Sequence, residues 1–484
     1  MSTAKNLGLI LLVILLILVV AGYFLTRGDT ATVPIDEVTG TDPLLEEADA
    51  ELFPTVKIAE PIGWAANESP EAAAGITVSR FAEGLEHPRT IYTLPNGDVL
   101  VSLTRAPEGD DDGGIRGWIA GLLMGKAGAT GPSPDQVVLL RDTDGDGAAD
   151  IRQVIADDLA SPSGLAWQDG TLYIANHDAV LAFPYELGAA RVGGPARKLT
   201  DLAGGGGHWM RNLKLDPDGS SLFVAVGSDT NIADKGMDAE QGRALIWEID
   251  LADGSRRQYA GGLRNPNGLD FSPWSGELWT TVNERDMLGS DLVPDYLTNV
   301  PLGAQYGWPW VYWGDNYDRR VEYPIPDYIS YVRRPEYALG PHVAALGFVF
   351  TREGARMGER FGNGAFVARH GSWNRKPPSG YDVVYVAFDD RGNPMGQPVP
   401  VLSGFLTGEG TTRGRPTWVD WAQDGALLVS DDTAGIIWRA IASNAQPTSA
   451  IERTRTRSLP PQRELRGQEA VFGEDDFARE VTAN

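Results

Sequence analysis

Six times along this chain a polar opening leads into an alternating apolar run, breaks at a turn, and returns as a second alternating run. The copies are His87–Ala106, Ser161–Asp178, His208–Asp229, the stretch from Gly262, His342–Phe350 with Asn363–Trp373, and Arg415–Asp432. The turn glycines read as Gly97, Gly170, Gly219, Gly276, Gly364 and Gly425, at intervals of about 50 to 90 residues. Period-two alternation around such turns is a strand hairpin. Each interval holds enough chain for a four-stranded sheet and its loops. A lone hairpin cannot bury both faces, whereas six sheets stacked around an axis can, leaving only short edges. The expectation is an all-β fold, a six-bladed β-propeller over residues 75–445. The 14 tryptophans and 58 glycines suit packing between blades and turning at their ends.

The flanks read differently. Leu7 to Leu25 is nearly continuous Leu, Ile, Val and Ala, about the length that crosses a bilayer. Lys5 precedes it, and acids dominate from Asp29 onward. This predicts one N-terminal transmembrane helix within residues 1–28, with the propeller exported to the periplasm. A cleaved signal peptide is the competing reading, although its apolar region is usually about 7–15 residues. Residues 29–74 are acidic, proline-containing and aperiodic, which predicts a loosely packed linker. Residues 446–484 read as a charged tail. Inside the body, Glu108–Gln136 is an insertion in which Trp118, Ile119, Leu122 and Leu123 could form one helix face.

Charge and composition exclude some functions. A formal charge of −25 argues against nucleic acid as a partner, because phosphate rewards basic surface. With no cysteine, disulfides, thiol catalysis and Cys-ligated metals are ruled out.

The residues able to carry chemistry gather at the starts and ends of the copies. Arg264 and Asn265 open the fourth hairpin and Glu284-Arg285-Asp286 close it, so a tight turn brings the two groups to neighbouring strand ends. His208 follows Gly204–Gly207, a run that lets backbone approach a ligand closely, and His370 opens HGSWNR. Histidine suits proton abstraction near neutral pH, although a lone histidine is more often structural. Arg211, Arg264, Arg413 and Arg415 repeat at blade starts. They point either to a multiply carboxylated or phosphorylated ligand, or to pairing with acids between blades. Asp142, Asp144, Asp146 and Asp150 imitate a calcium loop, but Gln153 stands where a bidentate Glu would complete it. A calcium-stabilised hairpin tip and a solvated acidic turn both remain open.

From Val78 to Ala440 the motifs HxxRNLxxxPDG, GLRNPxGLxF, NERDxLGxDLxPDY, YGWP, HGSWNR and RGRP occur in order. Together they resemble the soluble-type quinoprotein sugar dehydrogenases, and most nearly the L-sorbosone dehydrogenase-like branch. The resemblance implies pyrroloquinoline quinone and Ca²⁺ as cofactors and a six-bladed propeller. It also implies a sugar substrate and a respiratory electron acceptor, either the quinone pool or a cytochrome. Position by position, it makes His208 the general base, places Arg264 and Asn265 beside the quinone oxygens, and gives the cofactor's carboxylates to Arg413 and Arg415. Glu284, Arg285 and Asp286 match the calcium-binding segment, with backbone oxygens of Arg285 and Asp286 as ligands and Asp291 as a nearby acid. The glucose-oxidising branch has Gly-Pro where Arg285-Asp286 stands, so the resemblance implies an altered calcium environment. Its cofactor lysine is replaced within Trp373–Arg375, where Arg375 is the expected substitute. The alternatives from other classes are a calcium-dependent lactonase-type hydrolase and a non-catalytic binding propeller.

Overall fold

The computed structural model describes Leu16 and residues 28–107, 125–128, 131–322, 327–408, 410–446 and 450–451. Six antiparallel sheets follow one another in chain order. Each begins with the strand nearest the axis: Pro88–Thr93, Gly164–Gln168, Leu213–Leu215, Asn265–Phe271, Ala345–Phe350 and Pro416–Trp421. We number the sheets as blades 1 to 6 in that order. The sixth blade takes its outermost strand from the start of the body, where Ile76–Ala82 pairs with Ile436–Ala442. Joining this early strand to the last sheet closes the ring and leaves only the short outer edge of each blade.

The axial strands of blades 1, 4, 5 and 6 are almost wholly buried, because each is covered by its neighbours on both faces. Two glycines set the packing distance between them. A Cβ on Gly268 in blade 4 would lie 2.7 Å from the Leu346 carbonyl oxygen of blade 5. A Cβ on Gly347 in blade 5 would lie 2.7 Å from the Trp418 Cα of blade 6. Five of the expected turn glycines do sit in hairpin turns at positive φ: Gly97, Gly170, Gly219, Gly276 and Gly425. Gly364 does not. It begins the strand Gly364–Arg369, where a Cβ would press on Tyr385, and the turn is the longer loop around Glu359–Phe361.

Because successive strands reverse, residues before each first strand and after each second strand emerge at one end of the propeller, its mouth. The hairpin turns ring the other end, where Thr93, Trp167, Leu215, Phe348 and Trp418 help to line an axial cavity of about 480 Å³.

The expectation of a loose linker over residues 29–74 is corrected. The segment is strapped across blades 4, 5 and 6. Gly40 exchanges backbone hydrogen bonds with Ala338 at 3.0 and 2.8 Å. Glu60–Pro61 pairs with Thr411–Thr412, and Glu71–Ala72 adds a fifth strand to blade 5. Val38 and Ala59 are fully buried. Few apolar residues in an acidic stretch can dock it when existing strand edges supply the hydrogen bonds. The predicted membrane helix (apart from Leu16), the apolar face Trp118–Leu123 and nearly all of the C-terminal tail lie outside the described residues. Among the described residues no helix is long and apolar enough to cross a membrane.

Candidate functional site

The mouth is built from the short segments flanking the axial strands. His208 precedes the first strand of blade 3, and Ser228 follows the second. The imidazole is half-buried, with Nδ1 2.9 Å from the Ser228 carbonyl oxygen and 3.0 Å from Ser228 Oγ. A carbonyl oxygen only accepts, so Nδ1 carries the hydrogen and Nε2 keeps its lone pair. Burial, reinforced by the positive charge of Arg264, pushes the His208 pKa down to about 3. The neutral, proton-accepting form therefore prevails near neutral pH. Gly227 sits between Asn265 and His208, and a Cβ there would strike both.

The four repeated arginines divide into two pairs. Arg211 is fully buried and braces the loop that carries His208, donating to the His208 and Ala203 carbonyls at 2.7 Å. Of the Arg211 nitrogens only Nε lacks a partner, whereas Arg264 has all its donors engaged. Its Nε reaches the Asn231 carbonyl at 3.1 Å, Nη1 reaches the Glu284 carbonyl at 2.7 Å, and Nη2 reaches Asn231 Oδ1 and Asp286 Oδ2, both at 3.0 Å. Arg413 and Arg415 are the under-used pair. The Arg415 guanidinium has one long bond, 3.4 Å to the Ala59 carbonyl, and a buried Nε without a partner. It lies over the Tyr381 ring at 5.2 Å. Arg413 lies over Trp64 at 5.6 Å, with Nη1 3.3 Å from the Gly404 carbonyl and Nε 3.6 Å from Glu68 Oε2. Ala59, Trp64 and Glu68 all belong to the strap, which thus forms part of the site.

The expected pairing of the fourth hairpin's ends holds in register, with Asn265 opposite Asn283. Beyond it, the side chains of Arg285 and Asp286 go separate ways. Arg285 is fully buried and turned away from the mouth, bonded to Glu284, to the Pro309 carbonyl at 2.6 Å and to the Val311 carbonyl at 2.8 Å. Asp286 remains beside Arg264 and receives His342 Nδ1 at 3.2 Å. Burial alone would raise the Asp286 pKa, but Arg264 and His342 hold it below the usual carboxylate range. His342 also meets the Gly289 carbonyl through Nε2 at 3.1 Å, so both its nitrogens face acceptors. Burial works against its protonation, yet Asp286 raises its pKa.

Two of the expected ligands meet each other instead. Arg375 Nη2 lies 3.0 Å from Asp291 Oδ1, and its Nη1 donates to the Pro377 carbonyl at 2.9 Å. The other Asp291 oxygen receives the backbone N–H groups of Thr32 and Val33 from the strap. Arg375 and Asp291 thus clamp the strap, while the buried Arg375 Nε has no partner. The acidic turn lies at the far end of blade 1. Asp142, Asp144 and Asp146 bring carboxylate oxygens within 4.8 Å of one another, but Asp150 instead accepts from Thr143 at 2.7 Å.

Sequence reasoning missed Ser228, which fixes the His208 tautomer, and Asn231, which ties Arg264 to the Asp286 backbone. It also missed a cluster in which Asp432 accepts from Arg89 and His370, with His87 nearby. The placement of His87, Arg89 and Asp432 at copy boundaries was an available signal, whereas Asn231 lies in an irregular loop and had none.

Comparison with known proteins agrees with this architecture. The profile of the TrAA12-like family matches residues 136–299 and 329–444, more than half of the chain. An uncharacterized protein of Borreliella burgdorferi is 30% identical over 233 residues, 48% of this chain and 60% of that protein. Aldose sugar dehydrogenase YliI of Escherichia coli is 27% identical over 268 residues, 51% of this chain and 65% of that enzyme. The chain thus spans somewhat under two thirds of these curated relatives. Among solved structures, a Trichoderma reesei protein of carbohydrate-active enzyme family AA12 superposes with a TM-score of 0.63 at 21% identity, over 80% of this chain and 99% of its own. The PQQ domain of pyranose dehydrogenase from Coprinopsis cinerea gives 0.60 at 20%, over 79% and 100%. At these identities the superpositions establish the propeller. The profile match, spread over blades 1 to 6, establishes that this chain belongs to the TrAA12-like family.

Proposed function

We propose that this protein is a quinoprotein dehydrogenase that oxidises an aldose or a sorbosone-like sugar aldehyde. The observation that carries the reading is the pairing, at one mouth, of a neutral His208 with a free Nε2 and two arginines that lack close carboxylate partners. Pyrroloquinoline quinone, a tricarboxylate, fits that donor set. Arg415, with its orphaned buried Nε, and Arg413 would hold its carboxylates, and Asn265 would lie beside its ring oxygens. When bound, the quinone supplies the hydride acceptor. His208 takes the proton from the sugar hydroxyl through Nε2 while Ser228 holds the ring, and Arg264 orients the loop that ends at Asp286.

Ca²⁺ prefers oxygen ligands. Among the described residues, the Arg285 carbonyl accepts no hydrogen bond, while the Glu284 carbonyl takes Arg264 and the Asp286 carbonyl takes Asn231 and Arg320. A calcium ion would therefore take the Arg285 oxygen and compete with Arg320 for that of Asp286. A calcium-dependent hydrolase reading needs free acids at the mouth, but Asp286 and Asp432 are each held by an arginine and a histidine.

The further proposal is a single-pass periplasmic enzyme of the inner membrane, passing electrons to a quinone pool or a cytochrome. Its support is the apolar run Leu7–Leu25 and the position of Asp29. That residue is tied to Thr55 and, at 2.6 Å, to Ser290, beside the exposed Leu52, Phe53 and Val56.

The deciding experiment titrates the full chain with pyrroloquinoline quinone and Ca²⁺ and follows dye reduction over a panel of aldoses and L-sorbosone. The expected result is saturable quinone binding and turnover that His208→Ala abolishes. Absence of quinone binding would sink the reading, and undiminished activity in His208→Ala would remove the base assignment.

A further inference from the structure

His370 is a second mouth histidine with one nitrogen unused. It follows the second strand of blade 5, and its Nε2 lies 2.9 Å from Asp432 Oδ2. The same carboxylate receives Arg89 from blade 1 and Thr433 Oγ1 at 2.9 Å. His87 Nε2 stands 3.8 Å away, its Nδ1 bonded to the Thr104 carbonyl at 2.8 Å. An ionised carboxylate only accepts, so the His370 hydrogen is on Nε2 and the lone pair on Nδ1. Among the described residues nothing donates to that Nδ1, and the side chain is 18% exposed. Burial, with Arg415 and Arg89 nearby, outweighs Asp432 and lowers the His370 pKa, so the ring stays neutral.

This placement matters for a polyol. Arg89, Arg413 and Arg415 make the mouth rich in donors, while the carboxylates of Asp286 and Asp432 already have their own donors. A sugar hydroxyl stripped of water must also donate, and an unmet donor costs about 1–3 kcal/mol. Among the described residues, His208 Nε2 on blade 3 and His370 Nδ1 on blade 5 are imidazole acceptors without a protein donor, and the Asn176 amide oxygen after blade 2's second strand is also unpaired. We propose that His370, oriented by Asp432, accepts a hydrogen bond from a non-reacting hydroxyl of the substrate and so helps to set which sugar is oxidised. The inference rests on the sugar-oxidising reading above.

The test combines binding and turnover. The chain has five histidines, so ¹⁵N-histidine labelling of the full-length protein gives a countable spectrum, and His370→Phe identifies the signal. Saturation with the best-oxidised aldose of the panel should move the His370 Nδ1 resonance more than those of His342, whose two nitrogens both face protein acceptors. In turnover, His370→Phe should raise KM about tenfold with kcat nearly unchanged, and His370→Gln, which keeps an acceptor, should recover part of the loss. One monodeoxy analogue should show no difference between His370→Phe and the unmodified protein. Normal turnover with an unmoved Nδ1 signal, or an equal KM penalty for every deoxy analogue, would overturn the inference and leave the dehydrogenase reading standing. An Nδ1 shift without turnover on any sugar would show the contact but remove the dehydrogenase reading, and with it the role of His370 in setting which sugar is oxidised. Neither shift nor turnover with any sugar would remove both.

Discussion

His208 and Ser228 form the contact that fixes the tautomer of this imidazole: Nδ1–H points at the Ser228 carbonyl across 2.9 Å, and Nε2 is left with its lone pair. A histidine buried in its neutral form has a consequence for stability. The unfolded chain protonates this residue below about pH 6.5, while the folded protein resists until about pH 3. The unfolded state binds more protons in that window, so the His208 contribution is present above pH 6.5 and falls away as pH drops. His208→Gln in the metal-free protein should flatten the acid-side loss by on the order of 1 kcal/mol per pH unit. Urea midpoints at pH 6.5, 5.5 and 4.5 check this; identical slopes in the two proteins would contradict the buried neutral form.

Arg415 should matter to cofactor binding more than to folding, since its guanidinium makes only one long protein bond. Arg415→Ala is expected to weaken quinone binding about tenfold to a hundredfold, in the range of a lost charge-assisted hydrogen bond. Arg415→Lys should restore little, because an ammonium cannot match a carboxylate bidentately. Calorimetry on the apoprotein measures both.

Arg264 behaves oppositely. Removing it leaves Asp286 buried and deprives the Asn231 and Glu284 carbonyls of their donor. Arg264→Ala should cost about 3–5 kcal/mol of stability, a penalty typical of breaking a buried pair. Chemical denaturation would show it even with no substrate present.

Gly268→Ala tests the packing of the ring. The added methyl would meet the Leu346 carbonyl and Phe348 on the neighbouring blade, so a loss of about 1–3 kcal/mol is expected. The same change at Gly84, where a Cβ would meet nothing within 4 Å, removes that clash but keeps the strained φ of +69° and serves as the comparison. Thermal midpoints of the two variants should differ, with Gly268→Ala the lower.

The absence of cysteine makes the proposed membrane orientation easy to probe. Single cysteines replacing Phe53 and Leu187, both exposed, would carry an environment-sensitive label on the full chain in phosphatidylcholine nanodiscs. A lipid-attached quencher should dim the label at position 53 and spare that at 187. Equal quenching would count against a membrane-facing strap.

The repeats made the ring legible, and the motif order made the family legible, because both are written in local sequence. Alternation, turn glycines and strand-end arginines are properties of neighbouring residues, and the register Asn265–Asn283 follows from them directly. Side-chain direction is not local. Arg285 and Asp286 are adjacent, yet one disappears beneath the Pro309–Val311 loop and the other stays beside Arg264. Arg375 looked free until Asp291 was brought against it from 84 residues away.

The sequence by itself determined the blade count, the mouth residues His208, Arg264, Arg413 and Arg415, and the chemistry those residue types permit. Tertiary structure decided which of them remain available. Arg211 and Arg264 are held by carbonyls, while Arg413 and Arg415 are left with few partners, and the difference lies in loops and a strap that no repeat encodes. The physical reason is that a buried guanidinium must satisfy its donors with whatever oxygen the fold brings near it. The loops and the strap laid over the closed ring fix which oxygens those are.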